Sequence, residues 1–188
     1  GFIELKNRII MGSMHTGLEE IGDWERISEF YAARARGQVS LIITGGIGPN
    51  KEGSVLTGAA MMMNEQDVKN HMISTQAVHN EGGKIVMQIL HAGRYAYNDT
   101  AVAPSPVKAP ISPFTPKELD EEGIEKQISD IAQSAFLAKC AGYDGVEIMG
   151  SEGYLINQFL VKHTNKRTDS WGGSYNNRIK FPIEIVKR

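Results

Sequence analysis

The sequence has one cysteine, no long apolar run and no excess of either charge, and each shortage closes off a class of function. Cys140 alone cannot form an internal disulfide, and one thiol cannot hold a zinc ion or an iron–sulfur cluster. Its place after Phe136-Leu137-Ala138-Lys139 on a helical pattern predicts a buried helix thiol. A chain this poor in cysteine suits a reducing cytoplasm. A formal net charge of −2 gives no electrostatic footing for nucleic acid or an anionic membrane. No run approaches the ~20 apolar residues of a membrane span, and no signal-peptide pattern is visible. What is present is 41% hydrophobic and 22% charged residues in a chain of 188, the composition of a core-forming domain. The chain opens at Gly1 without an initiator methionine and closes on a helical pattern, Phe181 to Arg188, without a capping glycine. Both ends are those expected of a fragment.

Four apolar, β-rich runs are each followed by a segment of helical period. Arg8–Met11 precedes a helix expected over about 23–36, and Val39–Thr44 one over about 65–80. Lys84–Ile89 precedes a helix over about 121–141. Gly145–Met149 precedes a short helix over 154–160 and a longer one from about Asn176. This alternation predicts a parallel sheet covered by helices. Asp120 before Glu121 and Glu122 marks a helix start. Gly37, Gly82-Gly83 and Gly142 stand where left-handed C-caps are expected. The stretch from about Leu90 to Leu119 is too long for a connector, and five prolines stiffen it without regular structure. His71 and His79 on the second helix are expected at the surface.

The chemistry gathers where the strands end. Strand one exits into Gly12-Ser13-Met14-His15-Thr16-Gly17, and strand two into Gly45-Gly46-Ile47-Gly48. Strand three exits through Gln88 into His91-Ala92-Gly93-Arg94-Tyr95, and strand four into Gly150-Ser151-Glu152-Gly153-Tyr154. Parallel sheets place their function on this C-terminal side. Glycines let a flat ligand approach backbone. A glutamine offers both a donor and an acceptor, which suits the edge of a pyrimidine-like ring. Glu147 alternates with Val146 and Ile148, so a carboxylate is expected inside, with a partner the sequence does not name.

Four motifs carry a resemblance. They are Leu5-Lys6-Asn7-Arg8-Ile9-Ile10-Met11, Gln88-Ile89-Leu90-His91-Ala92-Gly93-Arg94, Gly153-Tyr154-Leu155-Ile156-Asn157-Gln158-Phe159-Leu160, and the run from Asn165 through Trp171-Gly172-Gly173-Ser174 to Asn177-Arg178. In order and spacing they resemble the old yellow enzyme family of FMN-containing TIM-barrel oxidoreductases. The resemblance implies the N-terminal half of a (β/α)8 barrel, with four β/α units over residues 1–188. The usual family pattern has a His, then a His or Asn three residues on, after strand four. Here Met149 and Glu152 stand instead. With Met11-Gly12-Ser13-Met14-His15-Thr16-Gly17-Leu18-Glu19-Glu20, this is similar to the bacterial NADPH-dependent 2,4-dienoyl-CoA reductases.

That resemblance implies a role for each site residue. Tyr154 would be the proton donor to the dienoyl chain, with Glu152 tuning it. Ser13, Met14, His15, Gly46 and Gln88 would line FMN, Gln88 at the pyrimidine edge and His15 near O4. His163, Thr164, Asn165 and Lys166 would face the thioester and CoA side. Asn165 also reads as part of a loop-locking network with Arg167, Asp169, Asn177 and Arg178. No metal site is implied in this stretch. FAD, a 4Fe-4S cluster and NADPH would belong to later domains of the parent protein, and the FMN phosphate loops to the later barrel half. The partners expected are an enoyl or dienoyl thioester and the rest of the barrel, with self-association through exposed strand edges possible. The 188 residues alone are expected to be inactive. Two other readings stay open: a 2-enoate reductase or trimethylamine dehydrogenase type of the same family, and a non-catalytic half-barrel that self-associates.

Overall fold

The computed structural model describes residues 3–19 and 21–188. Glu20, the last residue of the first-loop motif, lies outside them, as do Gly1 and Phe2. Strand β1 (Ile10–Met11) leads to helix α1 (Trp24–Arg36). Strand β2 (Leu41–Ile47) leads to α2 (Glu65–Asn80), and β3 (Lys84–Ile89) to a long excursion and then α3 (Glu121–Cys140). Within that excursion, β4 (Val102–Ala103) and β5 (Lys117–Glu118) pair in parallel. Strand β6 (Gly145–Ile148) is followed by α4 (Leu155–Leu160), α5 (Tyr175–Arg178) and α6 (Lys180–Lys187). The main sheet runs β1-β2-β3-β6, parallel throughout.

The helices start where short polar side chains cap them. Asp23, Asn64 and Asp120 each accept backbone N–H groups of the first turn. Strand period two divides the sheet. Ile42, Ile85 and Met87 are fully buried in one core with Ile27, Ile124 and Ile128 of the helices. Ile43, Val86, Gln88 and Glu147 occupy the opposite face, and the pairing of Gln88 with Glu147 across β3 and β6 places them side by side. That adjacency answers the question of the carboxylate's partner: Gln88 Nε2 donates to Glu147 Oε1 at 2.7 Å.

Several expectations are corrected. Cys140 is exposed, because it closes α3 on the side away from Ile131, Leu137 and Ala138. His71 is buried, not superficial. It donates or accepts at 2.8 Å with the Tyr143 hydroxyl and packs 4.5 Å from the Trp24 ring, between α1 and the turn that follows α3. His79 is partly exposed and meets Asp144 at 2.8 Å. Gly37 is not left-handed. The positive φ falls on Gln38 (74°), while Gly82 and Gly142 take it as expected. The proline-stiffened excursion is not devoid of regular structure, since it holds the β4–β5 pair and a 3-10 turn at Gly93–Tyr95. A two-residue ladder carries too little periodicity to be read from sequence.

Candidate active site

Parallel strands that begin on one side must end on the other, so their C-terminal loops meet. A cavity of about 380 Å³ lies there, lined by Ser13 and His15 after β1, Gly46 of β2, Val55, Gln88 and Leu90 of β3 and its end, and Met149, Glu152 and Tyr154 after β6. A more open cleft of about 530 Å³ adjoins it along the sheet face over Ile43 and Glu147. Six of the seven residues assigned from the sequence to catalysis and FMN converge on the first cavity. Met14 does not line it; its side chain is 48% exposed, although its carbonyl abuts Gly45. Val55 and Leu90 line the cavity without having been singled out. Leu90 directly follows β3 and was legible as a wall residue, whereas Val55 sits in a loop with no periodic signal.

Tyr154 is the N-cap residue of α4. Its carbonyl accepts from Gln158 N at 2.8 Å, and the next residue, Leu155, donates from its N–H to the His91 carbonyl at 3.0 Å. The phenol is therefore carried on backbone fixed at both ends. Burial, then the Glu152 carboxylate and then Tyr95 push its pKa up from the ordinary tyrosine value. Glu152 is exposed and has φ of 60°, a left-handed conformation uncommon for a non-glycine residue. Such strain persists where the surroundings over-determine it, as at functional turns.

The remaining assigned residues are placed elsewhere. None of His163, Thr164, Asn165 and Lys166 lines either cleft. His163 and Lys166 are exposed. Thr164 is buried and donates to the carbonyls of Gln158 and Val161. Asn165 is 4% exposed. Its amide donates to Phe159 O at 2.8 Å and Trp171 O at 2.9 Å, and its Oδ1 accepts from Arg167 N at 3.1 Å. Arg167 grips Asp169 and the carbonyls of Pro104 and Leu119, and Arg178 grips those of Leu160 and Gly173. Asn165→Ala is expected to cost about 2–3 kcal/mol in chemical denaturation, as buried acceptors lose their donors. Substrate affinity should stay near wild type in the protein that remains folded; a large rise in KM with unchanged stability would return Asn165 to the substrate.

His91 and Arg94 are also structural. His91 is buried, accepts from Gly93 N at Nδ1 and shares Nε2 with Gln127 Oε1 at 2.9 Å. Among the described residues no cluster of three or more His, Cys, Asp or Glu side chains is placed to hold a metal ion, and no helix is long and apolar enough to cross a membrane.

Residues 1–188 match the NADH:flavin oxidoreductase / NADH oxidase family. The chain belongs to this family. It is 43% identical over 191 residues to a protein described as a metal reductase from Desulforamulus reducens, covering 99% of this chain and 28% of that protein. It is 37% identical over 196 residues to an NADH oxidase from Thermoanaerobacter brockii, covering 100% of this chain and 30% of that protein. The chain thus spans under a third of the length of these relatives. Among solved structures, morphinone reductase superposes with a TM-score of 0.92 at 30% identity, over all of this chain and 55% of that one. The old yellow enzyme homologue from Zymomonas mobilis gives 0.90 at 30% identity, over 100% and 56%. A 2-naphthoyl-CoA reductase complex gives 0.87 at 30% identity, over 97% and 31%. The four parallel units are therefore the old yellow enzyme type of (β/α)8 barrel architecture, matched over part of its length.

Family membership implies FMN, and the cavity fits it. Gln88 spends one amide hydrogen on Glu147 and retains a carbonyl oxygen and a second hydrogen, the pair a pyrimidine edge requires. Beside it, Gly46 pairs with Gln88 across β2 and β3, and a Cβ there would stand 2.6 Å from Leu90 Cδ1. Gln88, Gly46, Ser13 and His15 are the residues that would hold the isoalloxazine.

Proposed function

We propose that the protein is an FMN-dependent ene-reductase acting on an enoyl or dienoyl thioester, with NADPH as ultimate electron donor and Tyr154 as proton donor. The carrying observation is the composition of the cavity wall beyond β6. Met149 and Glu152 occupy the places where the usual family pattern has its paired ligand-clamping side chains, and Tyr154 stands beside them. A methionine has no N–H to offer a carbonyl or nitro oxygen, so the mouth favours a substrate held along its length. The likeness to a 2-naphthoyl-CoA reductase supports a thioester.

When bound, FMN supplies the hydride. Tyr154 transfers its hydroxyl proton to the carbon chain, and solvent returns a proton to the phenolate. One hydride and one proton add across the C=C bond, balancing the two electrons taken from the nicotinamide. Glu152 keeps Tyr154 protonated until substrate draws on it, because a second negative charge nearby is disfavoured. In this reading FAD and a 4Fe-4S cluster elsewhere in the protein carry electrons from NADPH.

A second reading is electron delivery to an acceptor without a C=C bond, which the names of the metal reductase and NADH oxidase relatives favour. Mixing the reduced full-length protein anaerobically with a 2,4-dienoyl-CoA, and following the flavin spectrum, separates the two. Rapid reoxidation with stoichiometric enoyl product is expected. Reoxidation by ferric iron or dioxygen, with none by any enoyl or dienoyl thioester, would establish the second reading.

A further inference from the structure

Tyr95 lies outside the cavity lining, in the 3-10 turn after β3, yet it touches the proposed acid. Its ring meets that of Tyr154 edge to face, with centroids 6.0 Å apart and planes at 85°. The contact is engineered from both sides by the chain. Gly153, immediately before Tyr154, has φ of 82°, and a Cβ there would stand 2.7 Å from Tyr95 Cε2 and 2.9 Å from its hydroxyl oxygen. Only glycine leaves the backbone bare enough for the Tyr95 ring to lie against it.

Gln158 then ties the two tyrosine-bearing segments together. It is 1% exposed. Its Nε2 donates to Gly153 O at 2.7 Å and to Ala92 O at 3.2 Å, and its Oε1 accepts from Arg94 N at 3.1 Å. One buried amide therefore joins the residue before Tyr154 to the residue before Tyr95. The Arg94 guanidinium sits 5.3 Å from the centroid of the Tyr95 ring on the same turn. A turn, a bare glycine and a buried amide all converge on the placement of one aromatic ring against another.

We propose that Tyr95 is a positioning residue for Tyr154: its ring, packed edge to face with the phenol, holds Tyr154 in the rotamer from which the proton is delivered. The inference rests on the role proposed for Tyr154. The aromatic ring does the positioning, and the Tyr95 hydroxyl is not needed. An edge-to-face pair contributes enough to bias a rotamer by roughly two- to tenfold, and a proton donor loses rate as it leaves reach of the carbon it serves.

The test uses the full-length, flavin-loaded protein and four variants: Tyr95→Leu, Tyr95→Phe, Tyr154→Phe, and Tyr95→Leu combined with Tyr154→Phe. Tyr95→Leu is expected to slow reoxidation by a dienoyl thioester roughly two- to tenfold while leaving flavin reduction by NADPH unchanged. Tyr95→Phe should restore the wild-type rate. Adding Tyr95→Leu to Tyr154→Phe should cost nothing further, since the residue acts through the phenol. Independently of turnover, the Cζ resonance of carbon-13-labelled Tyr154 should move in Tyr95→Leu and not in Tyr95→Phe. Full rate in Tyr95→Leu, beside a slow Tyr154→Phe, would overturn the positioning role and leave the acid role standing. Equal additive losses in both backgrounds would reduce Tyr95 to a packing residue. Normal reoxidation in Tyr154→Phe itself would overturn both readings.

Discussion

Tyr154→Phe is expected to slow reoxidation of the reduced flavin by a dienoyl thioester by roughly 10²–10⁴-fold, the range a positioned general acid contributes. Flavin reduction by NADPH should change less than twofold, because the phenol takes no part in it. The substitution is close to isosteric. The Tyr154 carbonyl is held by the Gln158 N–H and the next residue, Leu155, by the His91 carbonyl, so neither α4 nor the loop before it loses a bond. A rapid-mixing comparison of the two half-reactions reads the effect, and the solvent deuterium isotope effect on reoxidation should rise as slower protonation by water comes to limit the rate. Equal slowing of both half-reactions would mean that the variant disturbs the flavin pocket, and would remove Tyr154 from the acid role. Glu152→Gln offers a milder companion change. The Glu152 carboxylate is one cause of the raised Tyr154 pKa, so neutralising it should make the phenol easier to ionise.

The strand and helix framework was legible because its residues obey period two or period 3.6 over long enough runs. The helix over 65–80 and the strand over 84–89 appear as read. The rim residues were legible for a different reason: parallel strands dictate which loops meet, so Ser13, Gly46, Gln88 and Tyr154 had to share one end of the sheet. What escaped was set by tertiary contacts alone. His71 lies on a helix of weak amphipathicity, and only the arrival of Trp24 and Tyr143 buries it. The Gln88–Glu147 bond depends on register between strands 59 residues apart in sequence. Thr164 looks like a ligand-binding polar residue, but the turn after α4 consumes it in carbonyl capping, whereas the loop-locking network read around Asn165 is present. Tyr95 was read as part of the strand-three exit loop but with no role of its own, since its placement is set by a glycine and a glutamine in another segment.

The protein is expected to lose several kcal/mol of stability between pH 6.5 and pH 4 because of two buried histidines. Burial lowers His71 and His91 from the ordinary value of 6.5 to about 4. The His71 ring is enclosed by Trp24 and Tyr143. The His91 ring faces Gln127, with the charges of Glu52, Lys126 and Asp130 beyond it. In the unfolded chain both rings protonate near 6.5, while in the folded chain they stay neutral down to about 4. Between these values the unfolded state binds more protons, so stability falls as pH falls, and above 6.5 neither ring contributes a slope. At about 1.4 kcal/mol per pH unit, each ring accounts for about 3 kcal/mol across the window. Asp144 and Asp169 act lower. Asp144 is held down by His79, the Ile85 N–H and Lys84 against its own burial, and Asp169 by Arg167. Their stabilisation is complete above the ordinary carboxylate range and is lost only as pH falls through their depressed values. Urea denaturation at pH 7.5, 5.5 and 4.5 should therefore show a steep decline well above the carboxylate range. His71→Gln or His91→Gln, though each less stable at pH 7.5, should flatten that decline by about half, and an unaltered slope in both variants would place the acid sensitivity elsewhere.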